Sequence, residues 1–438
     1  MAGKPLVETC SRLPRRRWRI AWLLGIGVLI NYFDRVNLSV SHDALIGAFG
    51  ISDVVFGYLS SAYNWTYALC QLPIGVVLDK FGVKRVGRVG TFLWSAASFA
   101  AAATSSLGGF FGARFLLGVG EAPAFPANAK AIGLWFPPRE RSFATSLFDA
   151  AAKLASAIGV PLIGIVLIHA GWRWSFAFTG AVSFVYFVYF WRVYRDPDDD
   201  PELSENERLY IEDRSEPQAA PDQIAGTPLP LGQLLRQRKV LGLALGFGAY
   251  NYVFYLLLYW LPAYLSSALH IDLLHSFVYI SVPWFLATAT DLAIGGWLVD
   301  FLVKRGRNAS VVRRVVLIGG TAFGLGILGA AHAHSAIQAL AWISVSICGL
   351  AAAAPVAWSL PSLIAERPDV GKVGGIINFS GQVSGIAASI LTGYLVSAFH
   401  SYAWAFVVAG TYLAIGISGY IFLLGKIELP RRAQPMTA

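Results

Sequence analysis

Charged side chains sit inside stretches of this sequence that are otherwise too apolar to hold them. Asp34 and Arg35 are adjacent in NYFDRVNL (Asn31 to Leu38), within an apolar run that begins near Trp18. Arg114 and Glu121 follow, seven residues apart, with Pro123 and Pro126 just beyond. Asp149 and Lys153 share FDAAAKL, and Asp291 stands alone in WFLATATDLAIGGWL. An ionised side chain at the centre of a bilayer costs about 3 kcal/mol on insertion scales, so each of these needs a chemical reason.

Arginine supplies one. Its guanidinium stays protonated and presents a planar fork of donors that matches a carboxylate, which makes Arg35 a candidate clamp for an organic anion. Adjacent helical residues diverge by about 100°, so Arg35 is expected to face a central cavity and Asp34 a neighbouring helix. Arg114 and Glu121, two turns apart, share one face. A carboxyl in apolar surroundings holds its proton to higher pH and a nearby arginine opposes this, so Glu121 can act as a proton switch. Asp149 and Lys153, at i and i+4, can neutralise one another. A lysine at this depth can also supply a second positive charge to a substrate. Asp291 is open to several readings: holding hydroxyls, carrying a proton or capping a kinked helix. Asn378 and Gln382, one turn apart, carry amides that both donate and accept, which suits hydroxyl recognition.

The elements that must position these residues are membrane spans. Of the 438 residues 56% are hydrophobic and 13% charged, and the mean hydropathy is +0.58. Soluble domains carry about a quarter charged residues. A span needs about 20 apolar residues. Such runs lie near 18–40, 54–78, 86–106, 108–136, 142–168 and 172–193, and again near 240–268, 276–302, 313–333, 336–364, 371–398 and 402–426. The expected architecture is therefore an all-α polytopic membrane protein of twelve spans in two bundles of six. Its expected parts are a tail (1–17), an N-terminal bundle (18–194), a linker (195–237), a C-terminal bundle (238–426) and a second tail (427–438). The linker is charged and proline-rich and reads as solvated, with one short helix beginning at Ser204 (Ser-x-x-Glu, a capping pattern).

The net charge of +9 is not spread as a nucleic-acid surface would require. Lysine and arginine crowd the tails, the linker and alternate loops, which by the positive-inside asymmetry places both termini in the cytoplasm. The seven histidines (His42, His169, His270, His275, His332, His334 and His400) fall in or beside the opposite loops. Cys10, Cys70 and Cys348 have no metal-type spacing, and no nucleotide-binding loop or nucleophile elbow is present. The chain is therefore expected to be no enzyme, to need no cofactor or metal, and to draw on an ion gradient. The intramembrane acids favour protons.

The halves echo one another. GVVLDKFGVKR (Gly75 to Arg85) follows the second span and GGWLVDFLVKRG (Gly295 to Gly306) the eighth, each placing an aspartate before basic residues. Asp79 with Arg85, and Asp300 with Lys304, are thus candidate latches for a conformational gate. This paired loop, with NYFDRVNLSV, GVGEAPAFPAN, WFPPRERSFATSLF and GGIINFSGQVSGI, resembles the anion:cation symporter branch of the major facilitator superfamily. That branch includes bacterial galactonate, glucarate and hexuronate transporters, sialin and the vesicular glutamate carriers.

The resemblance implies an ion-coupled organic-anion transporter. In it Arg35 is the substrate arginine, Asp34 and Glu121 the proton-linked acids, and Arg114 the partner of Glu121. Asn378 becomes a substrate ligand, and Tyr67 and Trp358 aromatic liners of the cavity. Ala152 stands where the galactonate-type pattern has a glutamine, which argues against galactonate itself, and Asp291 is closer to the hexuronate pattern. The expectation is proton-coupled symport of a sugar acid (aldonate, uronate or aldarate) across a bacterial inner membrane, by a protein for which a monomer suffices. Transport of a simpler or aromatic carboxylate (tartrate- or phthalate-like), export, or solute sensing without transport are the alternatives.

Overall fold

In lipid no backbone N–H or C=O can be left to water, and a run of about 20 apolar residues meets that demand by closing its hydrogen bonds within a helix. The computed structural model describes residues 15–137, 140–212, 229–268, 273–333, 335–365 and 369–428, and among them no strand forms. The N-terminal half comprises α1 (Arg16–Val40), α2 (His42–Phe49), α3 (Asp53–Ala103), α4 (Leu107–Glu121), α5 (Ala124–Trp135), α6 (Arg141–Ala170) and α7 (Trp172–Val193). Two short helices, α8 (Glu205–Glu212) and α9 (Leu231–Leu234), belong to the connection. The C-terminal half holds α10 (Arg238–Ala263) and α11 (Leu273–Thr290), the latter running through a wide π-helical segment, Asp291–Leu298, into α12 (Val299–Lys304). It continues with α13 (Ala309–Gly324), α14 (Ile327–Ala330), α15 (Ala336–Ser359), α16 (Pro361–Ile364), α17 (Val370–Phe399) and α18 (Ala403–Ser418).

Nine helical stretches among the described residues are long and apolar enough to cross a membrane. They correspond to the first span and the fifth to twelfth spans expected from sequence. The second and third spans are the two arms of α3, joined at Gly82, whose φ of 75° lies where glycine pays no steric penalty. The fourth is α4 and α5, interrupted at Ala122 and Pro123. Pro126 has no N–H to offer the carbonyl of Ala122, and the Gln71 side chain donates to that oxygen instead, at 3.1 Å. The close approach of α3 and α4 depends on Gly118, where a Cβ would collide with Thr66 and the Tyr63 carbonyl.

The two halves meet where α1 faces α10, α3 faces α17 and α6 faces α11. At the end bearing His42 they are joined by hydrogen bonds. Ser39 donates to the Tyr259 carbonyl at 3.1 Å, Ser266 donates to Asp43 at 3.2 Å, and the Tyr58 and Tyr394 hydroxyls lie 3.2 Å apart. His42 is buried there between Asp43 (2.6 Å) and Asp53 (3.3 Å), against Phe56 and Trp260. Of the other histidines, His270 and His334 lie outside the described residues.

Most described residues of the linker are exposed or half-buried, as expected of a solvated segment, but Asp200, Leu203 and Glu207 are buried. Ser204 does accept from the Glu207 N–H, at 3.3 Å, as the capping pattern requires. Glu207 itself, however, is fully buried: it accepts from the backbone N–H groups of Arg16 (3.2 Å) and Arg17 (3.1 Å) and from the Arg17 side chain (2.9 Å). The first turn of α1 has no side-chain cap of its own, so a carboxylate from α8 serves its orphaned donors. Asp200, also buried, receives Arg16 at 2.8 Å. Arg17 reaches Glu140 as well; partial burial pushes that carboxyl up, but hydrogen bonds from Arg17 and Tyr210 prevail and hold it below the usual range. Glu207→Ala is expected to cost about 2–3 kcal/mol, because it orphans two N–H groups and strips a buried arginine of one partner. The unfolding midpoint in detergent should fall and protease cleavage within the linker should quicken; unchanged values for both would show the contact to be dispensable.

The loop motifs are only partly described. The side chains of Asp79 and Lys304 lie outside the described set, and Arg85 and Asp300 are exposed. Beside them Lys84, not Arg85, reaches the linker, 3.0 Å from Asp199.

Candidate functional site

Arg35 projects from α1 into the space between the halves, with its side chain 2% exposed. Its Nε and Nη2 both stand 3.1 Å from Glu121 Oε2, and Nη2 also donates to Asn31 Oδ1, one turn back, at 2.9 Å. Three tyrosine rings surround the guanidinium, with Tyr32 at 4.3 Å, Tyr63 at 4.6 Å and Tyr67 at 5.5 Å to the ring centroids. Aromatic faces attract a cation without neutralising it, so the group remains available to an anion. Tyr255 of α10 closes the box from the other half and donates to Gln382 at 3.3 Å.

Asp34 points away from Arg35, as adjacent helical positions must. Its carboxylate accepts from Ser98 of α3 at 2.7 Å and Ser183 of α7 at 3.1 Å. Arg114 donates to the backbone carbonyl of Asp34 at 3.3 Å, while its Nε and Nη2 find no hydrogen-bond partner among the described residues. Glu121 thus takes its salt bridge from Arg35 rather than from Arg114. Two turns of helix rise about 10 Å, so residues that share a face at this spacing are aligned but out of reach of one another.

Lys153 lies 2.9 Å from Asp149 and 2.5 Å from Asp291, so the lone aspartate of the eighth span is paired across the halves. Asn378 donates to Gln71 at 3.1 Å. Gln71, which also serves the Ala122 carbonyl, therefore ties the turn after Glu121 to the C-terminal half. Trp358 packs edge-on against Phe247, with centroids 5.1 Å apart, and is one-third exposed, so it does not join the tyrosine box.

Asn31, Tyr32, Tyr63, Gln71, Ser98 and Ser183 were not anticipated from the sequence. Asn31 and Tyr32 could have been, since positions i−4 and i−3 of Arg35 share its helix face. Among the described residues no group of three or more histidine, cysteine, aspartate or glutamate side chains gathers as a metal site.

A buried cation held where two helical halves meet is an arrangement suited to an anion that crosses a membrane, and the comparisons with known proteins give the class: a membrane transporter. Residues 24–312 match the model of the Major Facilitator Superfamily, and the chain belongs to that family. It is 37% identical over 426 residues to an uncharacterized transporter, YybO, of Bacillus subtilis (strain 168), covering 96% of this chain and 97% of that one. It is 30% identical over 419 residues to a D-galactonate transporter of Escherichia coli O6:H1, covering 94% and 97%. Among solved structures, a bacterial homolog of the human lysosomal transporter Spinster, inward-facing and occupied, superposes with a TM-score of 0.73 over 94% of this chain and 97% of its own. At 15% identity that likeness concerns the fold alone.

Proposed function

We propose that this protein is a proton-coupled symporter of an organic anion, a sugar acid by preference, working by alternating access between its halves. One observation carries the reading: the Arg35–Glu121 salt bridge, buried in a tyrosine box where the halves meet. A substrate carboxylate arriving at Arg35 competes with Glu121 for the same donors. Displaced and still ionised, Glu121 would be an unpaired charge out of water, worth several kcal/mol of destabilisation. A proton removes that penalty, so substrate and proton enter together. Asp34, held by two hydroxyls beside Arg114, is the second candidate acid in this relay. The hydroxyls of a sugar acid would be read by Tyr67, Asn378 and Gln382, whose polar atoms stand on both halves. Similarity to the D-galactonate transporter supports the substrate class. The dense arginines at the linker end favour a cytoplasmic placement of that end in a bacterial inner membrane. No cofactor beyond the proton enters the scheme, and a monomer suffices for it.

Uptake by the purified protein in liposomes, under an inward proton gradient, tests the proposal across galactonate, glucarate, glucuronate, tartrate and phthalate. Accumulation of a sugar acid that collapses with a protonophore is expected. Accumulation untouched by the protonophore would remove the proton from the mechanism. Uptake of tartrate or phthalate alone would keep the coupling and overturn the substrate class.

A further inference from the structure

The Lys153 cluster is over-provided with acid. Asp149, one turn away on α6, suffices to neutralise the lysine, yet Asp291 from the opposite half is drawn onto the same ammonium. The Lys153 and Asp291 side chains are 4% and 0% exposed. Unlike Asp34, which two hydroxyls hold, Asp291 has no other hydrogen-bond donor among the described residues. The charged and titratable groups facing it are Lys153 and Asp149 on α6 and Tyr250 on α10.

This pair joins the two halves. If they move apart with Asp291 ionised, that carboxylate is left in an apolar wall without a partner, at a cost of several kcal/mol, whereas Lys153 keeps Asp149 on its own helix. The movement therefore calls for a proton on the aspartate, and the place that Asp291 leaves on the lysine is open to another anion. That is the exchange already derived for Arg35 and Glu121, repeated at a second cation. Tyr32 connects the two: its ring stacks on Arg35 at 4.3 Å and lies within electrostatic reach of Lys153. A small cavity beside Lys153, walled by Tyr250, Phe254, Leu257 and Trp284, continues the aromatic lining of the first site.

We infer that Lys153 is a second anion clamp and that the transported solute is a dianion, an aldaric or related dicarboxylic acid whose far carboxylate displaces Asp291 from Lys153. The inference rests on the proposed symport at Arg35. It adds that one proton is taken by Glu121 and one by Asp291, so that the dianion and its two protons cross as a neutral load.

Galactonate and galactarate form a matched pair, with the same carbon chain and one or both ends oxidised. Calorimetric titration of the full-length protein with each acid separates the possibilities. The wild type should bind galactarate at least about tenfold more tightly, as one added charge-assisted contact implies. In Lys153→Met the ratio should collapse to about one, for want of that contact. Asp291→Asn, which removes the charge that competes from the other half and leaves Lys153 with Asp149 alone, should keep or enlarge the ratio, and this variant decides the matter if Lys153→Met does not fold. A wild type that prefers galactonate, or a preference that survives Lys153→Met, overturns the second clamp and leaves the symport reading standing. A wild type that binds neither acid defeats the sugar-acid reading itself, and the second clamp with it.

Discussion

Arg35→Ala abolishes substrate binding: the expected loss is at least 100-fold, about 3 kcal/mol, because a charge-assisted fork is removed from a buried site. The protein should nevertheless fold. Glu121, robbed of its cation, escapes the cost of an unpaired buried charge by keeping a proton, the Tyr63 and Tyr67 rings keep their mutual contact, and Tyr32 keeps its contact with Phe254. Arg35→Lys is the informative companion. It keeps the positive charge but not the planar fork that spans Glu121 and Asn31, and an ammonium presents fewer aligned donors to a carboxylate. Intermediate binding is therefore expected from lysine and none from alanine. Titration of galactonate or galactarate into each purified variant reads the result. If Arg35→Ala binds the acid as the wild type does, the anion site lies elsewhere and the assignment of Arg35 fails.

Glu121→Gln separates movement from coupling. Glutamine imitates the protonated acid: it can accept from Arg35 through its carbonyl but carries no charge to be neutralised. Exchange of labelled for unlabelled substrate across a liposome membrane needs no net proton movement and should continue at a rate near that of the wild type. Accumulation driven by a proton gradient should fall to the level of passive equilibration. Gln71 and the Ala122 carbonyl keep the turn after Glu121 in place, so the geometry that a substrate meets at Arg35 is preserved. Gradient-driven accumulation by Glu121→Gln at the wild-type level would take the proton away from this residue.

These predictions concern residues that were visible in the sequence, whereas the partners that give them their roles were not. Helical periodicity places Arg114 and Glu121 on one face, and so they are found. Periodicity carries no information on which neighbouring helix that face will meet. Arg35, from α1, reaches Glu121 across the packed helices, while Arg114 turns to a backbone carbonyl. Asp291 illustrates the same limit more sharply. A solitary aspartate in an apolar run signals its own importance, yet its partner, Lys153, lies more than a hundred residues earlier in the other half. The burial of Glu207 was not legible for a related reason. Charge and proline in the linker describe a segment able to live in water, and nothing local reveals that the uncapped start of α1 will call one of its carboxylates inside.

The sequence by itself determined the class of the molecule, the apolar runs that form its helices and the identity of the charges buried within those runs. Each of these follows from a local rule: the length of an apolar run, or the cost of a charge in hydrocarbon. Tertiary structure alone decided the pairing of those charges, the tyrosine box around Arg35 and the contacts that join the halves. Pairing depends on distances of 3 to 4 Å between residues remote in the chain, and those distances exist only once the helices have packed.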